Sequence, residues 1–325
     1  MDAQQLIVDT AEKIFAQHCD KQLLDASEQG VFAEALWQQI VANGFHQLGS
    51  KQSGTTAADM FAFLKVCGRY AVPLPVAEHL LANQWLGTNA PDDGLLGIGV
   101  LDAEHIRTVP WGRNAAVALG VSAGELAGGP YTVEVAVLPS LMQSSSNLAG
   151  EARDDLAVGA SVSSIELADA PYAQMALART NLMAGGLQAV LDLGLQFAAE
   201  RSQFGRSISK FQAIQHSLAV VAAEVAAAQR AADAGVDALG TDRFINEVAA
   251  AKARVGEAVG VVAEQVHQIH GAMGFTYEHR LHHFTRRLWA WRDEWGNEFY
   301  WQAHLGAQLA AMGADSVWDY IATRG

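Results

Sequence analysis

The sequence predicts a mainly α protein with a small β domain in the middle of the chain, and three observations carry that expectation. Residues 1–92 hold apolar positions at helical spacing between glycine and proline breaks, residues 93–170 fall into short β-prone runs, and residues 171–325 carry two long apolar stripes stepping by three and four. A chain of 325 residues exceeds the length at which one core stops growing. The three regions are therefore expected as an N-terminal helical domain, a reduced middle β domain and a C-terminal four-helix bundle domain.

In the first region helices are expected over 2–17, 31–42, 56–71 and 76–87, punctuated by Gly44, Gly49, Gly54, Pro73 and Pro75. In the second, the strand candidates are LLGIGVL, RTVPW, YTVEVAVL and LAVGASVSSIEL, separated by Gly, Pro, Asp and Ser. In the third, Phe211, Ile214, Leu218, Val221 and Val225 form one stripe, and Val248, Val255, Val259, Val262, Val266 and Ile269 form another. Alanine-rich seams beside both stripes let helices approach closely, and short connections favour an antiparallel bundle.

Composition excludes several function classes. With 50% hydrophobic and 17% charged residues the chain has a globular composition, and its net charge of −14 disfavours nucleic acid and anionic membranes, which require clustered Lys and Arg. The start, MDAQQLIVDTAEKIF, is acidic and amphipathic and does not resemble a signal peptide, and the sequence shows no uncharged apolar run of bilayer length. Cys19 and Cys67 are expected as reduced, packed thiols, and the compartment as the cytoplasm.

Two segments carry the chemistry. In ERSQFGRSISKFQAIQH, residues 200–216, Arg201, Arg206 and Lys210 surround Gly205 at a helix boundary, with Phe204, Phe211, Gln203, Gln212 and Gln215 beside them. Guanidinium groups hold phosphates in bidentate fashion and free N–H groups at a helix start attract anions, so the corner suits a pyrophosphate; a solvated basic turn is the competing reading. The second segment, QIHGAMGFTYEH at 268–279, places Gly271 and Gly274 where a long helix ends.

RSQFGRSISKFQAIQHSLA followed by QIHGAMGFTYEH and then Arg286-Arg287 resembles the C-terminal half of the acyl-CoA dehydrogenase family. The resemblance covers residues 171–325 well and 1–90 loosely, through LWQQIVANGFHQLG. It implies an FAD-dependent flavoprotein tetramer that oxidises the Cα–Cβ bond of an acyl-CoA thioester, with a glutamate base and an electron-transferring flavoprotein as acceptor. In that family the first corner lies against the adenosine and pyrophosphate of a flavin seated mainly in the neighbouring subunit. Arg201, Gln203, Phe204 and Gln212 match this role, and Gln268 and Gly271 match a second contact strip in which Ala272 replaces a usual glycine.

The resemblance also breaks. The family's common base, a glutamate before a glycine, aligns with Trp295 before Gly296, and an alternative base position aligns with Thr241, whose hydroxyl lacks the proton affinity of a base. Glu294 and Glu298 flank the lost position, but adjacent helical residues point about 100° apart. No Thr-Glu-Pro-like turn or Trp-Ile-Thr-like strand, which cradle the flavin ring in the family, occurs between Gly94 and Pro171. The chain is therefore expected to contribute no catalytic residue and to be the degenerate subunit of an α2β2 heterotetramer with a homologous full-length acyl-CoA dehydrogenase subunit. The turn GFTYEH resembles subunits acting on steroid side-chain CoA esters.

Three rival readings are a self-sufficient homotetramer with Glu294 as base, a non-catalytic scaffold, and a di-iron bundle built on Glu264 and His267, which lacks a second Glu-x-x-His. His267, His270, His279, His282 and His283 are tempting ligands, but no metal is expected, because ligand sites need convergent and supported geometry. The cluster Trp289, Trp291, Trp295 and Trp301 reads as core against a partner helix rather than as an acyl pocket.

Overall fold

The computed structural model describes residues 3–91, 93–124, 126, 129–158 and 162–323. Helices α1 (Ala3–His18), α2 (Lys21–Glu28), α3 (Glu34–Ala42), α4 (Ala57–Arg69) and α5 (Val76–Leu86) come first. Four correspond to the expected ones within three residues at either end; residue 2 of the expected first helix lies outside the described residues. The fifth, α2, is eight residues long, too short to show a stripe in the sequence. It begins at Asp20, whose carboxylate accepts the Leu23 N–H at 2.8 Å. At α4 a capping box forms between Thr56 and Asp59.

Seven strands follow: β1 (Leu95–Asp102), β2 (His105–Pro110), β3 (Ala115–Ser122), β4 (Tyr131–Val137), β5 (Ser140–Ser146), β6 (Ala152–Ala157) and β7 (Val162–Leu167). They form one sheet in the order β5-β6-β2-β1-β3-β4-β7, parallel only between β1 and β3. One face joins the main core through Ile98, Leu119, Val121 and Val133, and the other buries Ile106, Val109, Ala118, Ala136 and Leu156. Two strands escape the sequence reading for opposite reasons. β3 (AAVALGVS) is mostly small residues held centrally by neighbours on both sides, whereas β5 (SLMQSSS) is a fully exposed, serine-rich edge. LAVGASVSSIEL divides between β6 and β7, and its residues 159–161 lie outside the described residues.

The last region contains α6 (Pro171–Glu200), a two-residue hairpin of β8 (Ser202–Gln203) and β9 (Arg206–Ser207), α7 (Gln212–Asp237), α8 (Phe244–His270), α9 (Leu281–Asp293), α10 (Glu298–Met312) and α11 (Ala314–Thr323). Helices α6, α7 and α8 pack on one another, α9 closes against α6, and α10 lies on α8. The most apolar window of α6 has the length and hydropathy of a membrane span, yet 61% of it is buried inside the protein. The α8 stripe is buried from Val248 to Val266 as its spacing implies. The α7 stripe divides: Val221 and Val225 enter the main core, but Phe211, Ile214 and Leu218 serve a satellite cluster with Ala198, Ile208 and Ile269 under the hairpin.

The N-terminal helices dock on the bundle where α4 crosses α6 at backbone distance. A Cβ added at Gly185 would come 1.9 Å from the Lys65 carbonyl oxygen, and one at Gly68 would come 1.9 Å from that of Leu182. Glycine is required on both helices there, despite its cost in a helix interior. We expect Gly185→Ala to lower stability by about 3 kcal/mol or more, since neither backbone can yield without parting the helices. Thermal unfolding beside Gly306→Ala, where a Cβ meets nothing within 4 Å, checks this.

Candidate functional site

The basic corner forms where α6 ends. The hairpin turn consists of Phe204 (φ +53°) and Gly205 (φ +77°), the pair of left-handed residues that a tight two-residue hairpin requires. A bulky aromatic seldom adopts that conformation, and here it leaves the Phe204 ring 91% exposed. Arg206 lies 4.3 Å over the face of Phe211, a cation–π contact that holds one cation back at the hairpin. The guanidinium of Arg201 has no carboxylate partner among the described residues.

Between this corner and the end of α8 runs a groove of about 510 Å³, and Arg201, Gln203, Phe204, Gln268 and Gly271 all line it. Gln212, in the exposed first turn of α7, is not among the lining residues. The structure thus brings together five of the six residues named from sequence. His270 joins them, and its role in the groove was not legible. Its ring stacks on Phe197 at 4.2 Å between centroids, and its Nδ1 lies 2.8 Å from the Val266 carbonyl, which can only accept. Nδ1 therefore carries the proton. Burial pushes this imidazole down to about 4, so near neutrality it is uncharged and its Nε2 is an acceptor.

The donor set suits one half of a flavin dinucleotide. An unpaired guanidinium, amide side chains and exposed N–H groups at the start of a 26-residue helix match a pyrophosphate and adenosine. The place for a ring and a base is different. Trp295, which the sequence spacing sets at the expected base position, is buried at φ +58° with its ring edge-on to Tyr172, and its carbonyl accepts the Trp301 indole N–H at 3.0 Å. Lys252, fully buried, donates to the carbonyls of Arg292 and Gly296 at 2.7 Å and fastens this bend.

Glu294 faces inward, into an ionic lattice. Its carboxylate accepts from Arg153 Nε at 2.9 Å and Arg179 Nε at 2.6 Å. Arg179 is also paired with Glu78 of α5, and Arg153 with Glu151 at 3.1 Å, whose Oε2 accepts the Trp291 indole N–H at 3.0 Å. Although burial alone would raise it, the two guanidinium groups hold the Glu294 carboxyl down at about 2. A general base needs a proton affinity near the working pH and a free lone pair, and Glu294 has neither. The adjoining crevice between the three regions has only about 30 Å³ of space, lined by Trp111, Glu151, Arg153, Arg179 and Trp291 among others. That volume holds a water and not an acyl chain.

Other candidates lie elsewhere. Thr241 sits in the α7–α8 connection, its hydroxyl donating to the Ala238 carbonyl at 2.7 Å. Glu264 is exposed, while His267 Nε2 is 3.1 Å from the Thr285 hydroxyl, so the two do not converge on a metal. Of the tryptophans, Trp291, Trp295 and Trp301 are buried in the core, and Trp289 packs beside it.

Residues 170–292 match the model of the acyl-CoA dehydrogenase C-terminal domain. That stretch is an acyl-CoA dehydrogenase C-terminal domain. The chain is 25% identical to acyl-CoA dehydrogenase IpdE2 of Mycobacterium tuberculosis, over 88% of this chain and 91% of that one. It is 38% identical to glutaryl-CoA dehydrogenase of Desulfococcus multivorans over 33% of this chain and 29% of that one. Among solved structures, a chain of the ChsE4-ChsE5 complex from Mycobacterium tuberculosis shares the fold with TM-score 0.85 at 18% identity, covering 97% of this chain and 99% of that one. A Tcur3481-Tcur3483 steroid ACAD gives TM-score 0.82 at 20% identity, covering 95% and 98%. The family is one of flavoprotein oxidoreductases.

Removal of the lattice's shared anion tests its weight. Replacing Glu294 with Gln is expected to cost about 3–5 kcal/mol, because two buried guanidinium groups lose their counter-charge. The Glu294 carboxyl sits at about 2 in the folded protein against an ordinary 4.5. Its contribution is therefore complete above pH 4.5 and lost as pH falls towards 2. Urea unfolding across that range should show a shallower acid loss for Glu294→Gln than for the unaltered protein.

Proposed function

We propose that the chain is the non-basic subunit of a heterotetrameric acyl-CoA dehydrogenase, clamping the adenine and pyrophosphate half of an FAD whose ring and base belong to a full-length partner subunit. One contrast carries the reading: the corner groove is open and Arg201 has no carboxylate partner among the described residues, while the crevice lined by Trp291, Arg153 and Arg179 is narrowed by the lattice those two arginines form with Glu294. When bound, FAD supplies the hydride acceptor for α,β-dehydrogenation of the thioester. Arg201 would bind the pyrophosphate, with Phe204 against the dinucleotide and Gln203, Gln212 and Gln268 as amide donors. Gly271, at φ +56°, would let the backbone approach.

For the substrate we propose a bulky acyl-CoA thioester, of the steroid side-chain type. Support comes from the GFTYEH turn at 274–279 and from the near full-length fold likeness to an assembly described as a steroid ACAD. A crevice with part of its protein wall supplied by a non-catalytic subunit leaves room for a larger acyl group. An electron-transferring flavoprotein is the proposed acceptor and the cytoplasm the proposed compartment.

Co-expression with the adjacent family subunit, followed by an absorption spectrum and a subunit count, tests this. The expected result is a yellow complex with one FAD for each pair of subunits, and a colourless or poorly soluble chain when expressed alone; a yellow, active homotetramer would overturn the proposal. In the complex, Arg201→Ala should weaken FAD retention about tenfold while leaving KM for the thioester nearly unchanged, the scale of losing one charge-assisted contact. Unaltered FAD content would remove Arg201 from its role. Trp295→Glu should give the chain alone no dehydrogenase activity in a dye-reduction assay, because Arg153 and Arg179 still fill the crevice.

A further inference from the structure

Where α2 lies against the first turn of α9, Asp25, His282 and His283 each bring one ligand-type atom to within 4.8 Å of the others. His283 is fully buried and His282 is 8% exposed, yet neither Nε2 has a hydrogen-bond partner among the described residues. Leaving a buried polar atom unsatisfied costs about 1–3 kcal/mol, so two side by side need a reason.

The other ring nitrogens supply it. His282 Nδ1 lies 2.7 Å from the His279 carbonyl, and His283 Nδ1 lies 2.7 Å from Glu28 Oε1. A carbonyl only accepts, and Glu28, ion-paired with Arg286 and Arg287, is a carboxylate acceptor, so both Nδ1 atoms carry protons. This is the outer-sphere arrangement that orients metal-binding imidazoles, one ring fixed by a backbone carbonyl and one by a carboxylate. It turns two Nε2 lone pairs towards Asp25. His283 Nε2 is 3.2 Å from Asp25 Oδ1 without hydrogen-bonding alignment. A lone pair facing a carboxylate oxygen at that distance is repulsive unless a cation lies between them. A proton on His283 would relieve that contact but would leave His282 Nε2 unexplained. Zinc bonds of about 2.0–2.1 Å at tetrahedral angles set ligand atoms about 3.3 Å apart, and a shared ion sits off the line joining two of its ligands.

The charges around the cluster decide the metal class. Lys21 occupies Asp25 Oδ2 at 2.6 Å, and Arg286 and Arg287 pair with Glu28 at 3.2 and 2.7 Å, leaving Oδ1 as the single anionic ligand atom. Hard cations such as magnesium or calcium need several carboxylates, whereas two imidazoles and one carboxylate suit zinc and its neighbours. We propose that Asp25, His282 and His283 form a zinc-type site with water in the fourth position, stapling α2 of the N-terminal helices to α9 of the bundle.

The full chain, in its assembled form and without a polyhistidine tag, would be stripped with chelator, dialysed and titrated with cobalt(II) and then zinc(II). One cobalt per chain with the intense visible bands of a low-coordinate centre is expected, as is a rise in thermal midpoint with zinc. Asp25→Asn, at a partly exposed side chain, and His282→Gln should each weaken cobalt binding by about tenfold or more and abolish the thermal response. His267→Gln should change neither. The proposal fails if the unaltered chain retains no stoichiometric cobalt, or if His282→Gln binds as tightly as the unaltered chain.

Discussion

Glu294, shared between Arg153 and Arg179, is the contact on which the rest of the structure turns. Through those two guanidinium groups it reaches Glu78 in the N-terminal helices and Glu151 beside the sheet, so one carboxylate ties all three regions together. At an effective dielectric constant near 20, each close pair is worth about 4 kcal/mol in Coulomb energy, against which desolvation of both ions must be set. The net gain is therefore modest. The constraint is strong all the same, because any movement that opened the crevice would leave buried charges of one sign facing one another.

That constraint separates the two sites. A carboxylate locked at the bottom of its titration range cannot collect a proton from carbon, and a crevice of about 30 Å³ cannot admit an acyl chain. The corner at Arg201 is built by other means: a tight hairpin, an aromatic side chain held in left-handed backbone, and a cation with no carboxylate partner among the described residues. The hairpin corner is open, whereas ions and aromatic side chains fill the surroundings of Glu294.

Much of the fold was legible because helical stripes are local. The α8 stripe from Val248 to Val266 and the helices of the first region follow from spacing alone. The α7 stripe was legible as a helix but not in its destination, since Phe211, Ile214 and Leu218 look like Val221 and Val225 until the hairpin is seen to cover them. β3 and β5 were hidden because small residues and serines declare no face; neighbouring strands decide that they pair. Five groove residues were found from a motif, whereas His270 was not, because its proximity to the hairpin depends on how α8 ends beside α6.

By itself the sequence determined the order of helices, strands and bundle, the arginine-bearing corner, and the Trp295-Gly296 pair just past the end of α9, since each is a matter of residue type and local spacing. Only the tertiary structure decided what Glu294 does and what surrounds His282 and His283. Their partners, Arg153 and Arg179 for the one and Asp25 and Glu28 for the others, lie more than a hundred residues away in the chain. Proton affinity and metal affinity are set by such neighbours, and no local pattern carries them.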